Sequence, residues 1–452
     1  MNRRKKIAMC FLISIMLVGC TKQTQIEMDE NTVNTDKIIL KYVSWSDGRQ
    51  REIEETIVET YNARNKEVEV QCEFISKDNY LGRLNVLIST NQSPDVGYLP
   101  EYCVNDWGEN GRLLQLNDVG GVEGFSKYCF FGSEDSVWGI APGLQVLLLY
   151  YNKDLFEKYD IETPPTNPLD PWSWEEFVDV ALQLTRDING KMPTDEGFLS
   201  EEIEHYGLVT PNDTMTLTTL LYSNGGSIAS KDGLSLNLNG EESVEVLQAI
   251  YDLMYVYGVC EKEVEEENGL EWVYQLQNNE VAMAIAGQWR LSDFAVGGDF
   301  GYEVGVAALP AFEMPVNIIW GSPVVSFAQC KYPQEAKEFI EFYIGVNSFF
   351  ENYYYASHMP NNLQWYTNPE LLKLWADDEN HSQEFREVIV PTVTEIIIQP
   401  EIVTLRNYGI VNQEIIVGEL EKFWLNRSTL DEVLKGIEEK TQSLFEGVWE
   451  YD

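Results

Sequence analysis

The chain has 452 residues and a formal net charge of −43, too long for one ordinary domain and too acidic to favour nucleic acid or an anionic lipid surface as a partner. Hydrophobic residues make up 44% of it, enough for packed cores and against global disorder. No Walker loop, GxGxxG, GxSxG or HExxH pattern occurs, and His205, His358 and His381 lie far apart, which weighs against nucleotide binding, hydrolytic triads and zinc chemistry but leaves a carboxylate-based enzyme open.

Residues 1–20 read MNRRKKIAMCFLISIMLVGC. Arg3, Arg4, Lys5 and Lys6 precede an apolar run, Ile7 to Val18, shorter than the roughly 20 residues a spanning helix needs. The run ends at Gly19-Cys20, which resembles a bacterial lipobox: a small residue admits the peptidase and a thiol carries the lipid. On this resemblance residues 1–19 are a signal peptide and Cys20 is the lipidated first residue of an extracytoplasmic protein on the outer face of the plasma membrane. An ordinary secretory signal or an uncleaved anchor are the alternatives. Residues 20–36 are polar and aperiodic and read as a flexible spacer.

Folded structure is predicted from Lys37. Ile38–Val43 reads as a strand, and Ile53, Ile57, Val58 and Tyr61 mark one face of a helix. Val68, Val70, Cys72 and Phe74 alternate with polar residues, as in a strand with one wet face. Leu81, Leu84, Leu87 and Ile88 give a second helix, and Asp95–Leu99 a short strand. This β-α-β-α-β order predicts a mainly parallel sheet covered by helices. Val146–Tyr151 is apolar on both faces, as a central buried strand is. Ser173…Glu176 and Thr429…Glu432 are capping-box patterns that open helices. Further helices fit Val244–Met254, Ala336–Tyr343 and Gln413–Trp424, and the Glu261–Glu267 acidic cluster reads as a solvated face. Of seven cysteines, five remain after Cys10 and Cys20: Cys72, Cys103, Cys129, Cys260 and Cys330, without CxxC spacing. No metal site is implied, and either a Cys103–Cys129 disulfide or buried free thiols fit.

Several stretches, in this order, resemble the bacterial extracellular solute-binding protein family 1, the maltose-binding-protein-like receptors of ABC importers. The most specific is Tyr150-Tyr151-Asn152-Lys153-Asp154-Leu155-Phe156, followed by Pro164-Pro165 and Trp172-Ser173-Trp174-Glu175-Glu176-Phe177. Ser93-Pro94-Asp95-Val96, Trp138–Pro142, Gly225-Gly226, Glu280–Met283 before Gly287-Gln288-Trp289, and Val304–Pro310 also match. The resemblance covers roughly residues 37–445. It implies a two-lobed α/β fold of the periplasmic-binding-protein type (type II), each lobe a mainly parallel sheet flanked by helices. The lobes would be 37–144 plus 308–346 and 145–307 plus 347–452, with crossings near Gln145–Leu148, Val304–Leu309 and Gly345–Ser348.

Ligands in such folds sit at strand carboxyl ends and helix starts. Trp45, Ser46 and Asp47 follow the first strand: Trp45 offers a ring for stacking and Asp47 two oxygens for hydroxyls, although Trp45 also suits lobe packing and Asp47 a helix cap. The resemblance adds Asp95, Tyr98, Gln145, Asp213 and Trp289 as cleft positions. Trp320 and the Arg406-Asn407-Tyr408 loop present further candidates. The implied protein is a monomeric receptor without cofactor or catalytic residues, binding a carbohydrate, expected to be an oligosaccharide, by hinge closure and passing it to ABC permease subunits. A surface sugar sensor and a glycoside hydrolase using two carboxylates are the alternatives.

Overall fold

The computed structural model describes residues 37–133, 135–262, 272–295, 304–345, 358–376, 381 and 383–449. The signal segment, Cys20, the 20–36 spacer, most of the Glu261–Glu267 cluster and residues 346–348 lie outside them.

Among the described residues thirteen strands run in chain order: β1 Ile38–Ser44, β2 Val68–Phe74, β3 Val96–Tyr98, β4 Phe130–Gly132, β5 Val137–Ile140, β6 Leu147–Asn152, β7 Arg186–Asp187, β8 Ile203–Leu208, β9 Val281–Gly287, β10 Val304–Ala307, β11 Asn317–Ile318, β12 Val324–Ser326 and β13 Ile397–Ile398. They form one sheet in the order β2-β1-β3-β12-β5-β4, a second in the order β10-β6-β9-β8-β7, and a small β11-β13 ladder. Helices α1 (Gly48–Arg64) and α2 (Lys77–Ser89) make the two crossovers between β1, β2 and β3, and α3 (Glu101–Glu109) follows β3. The predicted β-α-β-α-β opening is present, with β1 parallel to both β2 and β3.

The sheets are mixed rather than mainly parallel. Strands that arrive through a helical crossover are parallel, but β4 and β5 are joined by a tight turn at Ser133–Ser136, so they must be antiparallel. Strand β12 pairs antiparallel with β3 and β5. In the second sheet β8 and β9 are the parallel pair, and the other contacts are antiparallel. Every residue of β6 is buried, as its two apolar faces require between β10 and β9. Both capping boxes form: Ser173 and Glu176 exchange bonds of 2.8 and 3.2 Å, Thr429 and Glu432 bonds of 3.0 and 3.3 Å. The predicted late helix divides into a π-helical segment, Ile410–Ile416, and an α-helix, Val417–Trp424. All five remaining cysteines are free thiols, so the Cys103–Cys129 alternative is not realised. No helix among the described residues is long and apolar enough to cross a membrane.

The chain passes from the first sheet to the second between β5 and β6, at Leu144–Leu147. It leaves the second sheet after β10 and rejoins the first at β12, so the second crossing is 308–323; Val304–Ala307 belongs to the second sheet. The third comes later than residues 345–348. Asn361 still accepts the Ser126 backbone N–H at 2.7 Å on the first lobe, whereas Glu384 pairs with Lys153 on the second at 2.8 Å.

Glu54 lies on the apolar face of α1 beside Ile53, Ile57 and Tyr61 and is 1% exposed. Its partners are hydroxyls: Tyr42 donates to it at 3.0 Å and Ser46 at 2.5 Å. Burial pushes its carboxyl up to about 7 from 4.5, against the opposing pull of the Ser46, Ser44 and Tyr42 hydroxyls. Below pH 4.5 the group is protonated both folded and unfolded. As pH rises from there to 7, the unfolded state loses its proton first, so stability falls across that window and levels off above it. The drop is roughly 3 kcal/mol. Glu54→Gln is expected to flatten this part of the pH–stability curve, measured by urea unfolding at pH 4.5, 6 and 8; an unchanged slope would show that Glu54 does not carry it.

Candidate functional site

A cleft of about 1030 Å³ lies between the two lobes. Strand β1 delivers Trp45 to it, half-buried and backed by Tyr80 edge-on at 5.0 Å and Tyr98 at 5.4 Å. Behind this loop Ser46 donates to Glu54 and accepts from Ser44 at 3.0 Å. The Trp45 ring therefore stands on a packed, hydrogen-bonded base.

Trp289 faces the cleft from the second lobe, on the turn Gln288–Arg290 after β9. Its ring folds back over its own chain: a Cβ on Gly287 would come within 2.1 Å of the indole. The neighbouring Arg290 is turned away, pairing with Asp293 at 2.7 Å. Trp320 and Gln145 form the floor, joined by reciprocal backbone bonds of 2.8 Å. The Gln145 side-chain oxygen accepts from the Ser322 hydroxyl at 3.2 Å. Trp320 is 5% exposed, and its indole N–H has no hydrogen-bond partner among the described residues. Glu101, at the start of α3, accepts the Gly321 and Ser322 backbone N–H groups at 2.9 and 2.8 Å. These two bonds hold the loop just after Trp320, where Ser322 sits at φ +45°.

The cleft gathers Trp45, Gln145, Asp213, Trp289, Trp320, Asn407 and Tyr408 of the sequence-predicted residues. Asp213 also caps the helix Thr214–Ser223, accepting Met215 and Thr216 N–H at 3.0 and 3.2 Å. Tyr408 is fully buried, and burial raises its hydroxyl well above the ordinary tyrosine range. The other predicted positions are not on the cleft. Ser46 faces Glu54, inside the lobe. Asp47 is exposed at the start of α1 without a side-chain cap bond. Asp95 stitches the first sheet, accepting Lys41 N–H at 2.8 Å, and Tyr98 is buried, its hydroxyl 2.8 Å from that of Tyr343. Arg406 lies on a neighbouring cavity, its guanidinium 4.1 Å over the Trp449 ring.

Sequence reasoning missed Lys77, Asp78, Glu101, Tyr102, Asp106 and Arg112, which also line the cleft. Lys77, Asp78, Glu101 and Tyr102 stand at helix starts after β2 and β3, the same placement that pointed to Trp45. Applying that rule to each of the three strands would have found them. Lys77 and Arg112 set two cations among the carboxylates of Asp78, Glu101, Asp106, Asp213 and Glu414. Burial raises Asp106 above the usual carboxylate range, opposed by bonds from Trp449 and Asn407 and by the charge of Arg406.

The arrangement presents aromatic faces and polar groups from both lobes to one space, the combination of apolar surface and convergent polar groups that marks a small-molecule site. It defines a two-lobed binding protein. The family model for bacterial extracellular solute-binding proteins matches residues 56–381, and the chain belongs to that family. Among its relatives are an arabinooligosaccharide-binding protein of Halalkalibacterium halodurans, 23% identical over 51% of this chain and 49% of the relative. Another is a maltooligosaccharide ABC transporter solute-binding lipoprotein of Streptococcus pneumoniae, 25% identical over 66% of this chain and 65% of the relative. The chain thus spans about half the length of the first of these and just under two thirds of the second. The fold is shared with an ABC substrate-binding protein of Listeria monocytogenes in complex with cycloalternan, with a TM-score of 0.76 at 19% identity over 90% of this chain and 99% of that one. The GacH receptor of Streptomyces glaucescens superposes at a TM-score of 0.73 and 17% identity over 92% and 100%.

Gly287→Ala is expected to displace the Trp289 ring and change the near-ultraviolet circular dichroism. Gly418→Ala, where a Cβ meets nothing within 4 Å, is the control and should leave the spectrum unchanged. Identical spectra for both variants would contradict the placement of Trp289.

Proposed function

We propose that this protein is the extracytoplasmic receptor of an ABC importer and captures an oligosaccharide by closing its two lobes. The observation that carries this is the cleft itself: Trp45 from one lobe, Trp289 from the other and Trp320 at the floor surround a space of about 1030 Å³. That volume stands at the top of the ~300–1,000 Å³ range of small-molecule sites and suits several linked sugars better than one. Tryptophan faces stack on the C–H side of a pyranose, and the cleft carboxylates engage its hydroxyls. The names of the relatives, which bind arabino- and maltooligosaccharides, support the same ligand class.

In this reading one lobe is built on β1–β5 and β12 and the other on β6–β10, joined by the crossing segments. Cys20 carries the lipid, residues 20–36 are the tether, and a membrane permease receives the ligand from a monomeric receptor. Tethering keeps the receptor near its permease at a high effective concentration.

Isothermal titration of the mature protein against maltotetraose, arabinotriose, mannotriose, a tetrapeptide and spermidine tests the ligand class. An oligosaccharide is expected to bind with a micromolar Kd, about −8 kcal/mol. Trp289→Ala should weaken it by about tenfold or more, the cost of losing a stacked ring. Heat from the peptide or polyamine and from no sugar would overturn the proposal.

A further inference from the structure

Helix α3 belongs to the first lobe, between β3 and β4. The segment 403–449 belongs to the second. Gly447 N–H donates to Gly233 O at 3.0 Å, Arg406 N–H to Gly447 O at 3.1 Å, and the Tyr255 hydroxyl to Trp424 O at 2.6 Å. One face of α3 meets this segment. The Tyr102 ring packs edge-on against Tyr408 at 5.4 Å, and Asn105 Nδ2 donates to Val403 O at 3.0 Å. Asp106 makes two bonds: Oδ2 accepts the Asn407 backbone N–H at 2.9 Å and Oδ1 accepts Trp449 Nε1–H at 2.7 Å. Residues at i, i+3 and i+4 share a helix face, so all of these contacts act along one edge.

We infer that Asp106, with Asn105 and Trp449, forms a latch across the cleft that biases the receptor toward its closed form before ligand binds. A charged acceptor taking two N–H donors makes the stronger class of hydrogen bond. The donors are well fixed. Asn407 is held at φ +61°, and the Trp449 ring is covered by the Arg406 guanidinium at 4.1 Å. Any opening that separates α3 from the 403–449 segment must break both Asp106 bonds together. Each such bond is worth roughly one to two powers of ten in a two-state equilibrium. The latch therefore sets how far the empty receptor opens, and slows release of whatever the cleft holds. The inference rests on the hinge-closing reading above.

Small-angle scattering of the ligand-free mature protein tests it, comparing wild type, Asp106→Ala and Trp449→Phe, with thermal melts to confirm folding. Wild type is expected to be compact, Asp106→Ala extended, and Trp449→Phe between them. In stopped-flow release of any sugar found by titration, Trp449→Phe should release about tenfold faster. Trp449 does not line the cleft, so this variant separates latch loss from loss of a ligand contact, and decides alone if Asp106→Ala does not fold. An open wild type, or variants with unchanged radii, would overturn the latch. Failure of every sugar to bind would count against the ligand reading while the ligand-free scattering still decides the latch.

Discussion

The reciprocal pairing of the crossing segments governs the rest of the structure. Gln145 and Trp320 exchange both backbone bonds, and Asn317, three residues before Trp320, uses its side-chain amide to do the same with Leu147, at 3.1 and 2.8 Å. Met359 closes against Leu144 and Ile398 against Ile319. These segments carry the chain between the sheets, so their backbone groups would be buried and unpaired without one another. Pairing them satisfies those groups and makes a narrow joint between the two lobes, the kind of joint that the proposed closure requires. It also puts Gln145 and Trp320 on the floor of the cleft.

The cleft surfaces are rigid for local reasons. Trp45 stands on Tyr80 and Tyr98, whose hydroxyls are spent on the Val43 and Tyr98 carbonyls and on Tyr343. Trp289 lies over a glycine that leaves room for it. Rings fixed in this way lose little entropy on binding, so more of the stacking energy remains as affinity. Glu54 is a carboxyl group buried inside the first lobe. It sits among hydroxyls beneath the Trp45 loop and is stable there in its neutral form.

Local pattern made much of the fold legible. Alternation marked β2, a doubly apolar run marked β6, and the capping boxes marked two helix starts. The family order implied two lobes. What it did not reveal depends on partners far along the chain. Asn407 meets Asp106 across 301 positions and Trp449 meets it across 343; no short-range pattern records such a contact. The same holds for the third crossing, set by Asn361 on Ser126 and Glu384 on Lys153. Of the candidate site, tryptophans after strands and turns were legible because ring and position can both be read. Ser46, Asp95 and Tyr98 shared those positions, yet their side chains turn into the lobe, a choice made by tertiary packing.

The most direct test of the account is a crystal structure of the mature protein grown with the best-binding oligosaccharide of the titration panel. The account predicts sugar rings in the interlobe cleft, stacked on Trp45 and Trp289 and touching Trp320, with Gln145 at the floor. A saturated crystal with an empty cleft, or sugar held elsewhere on the surface, would contradict it.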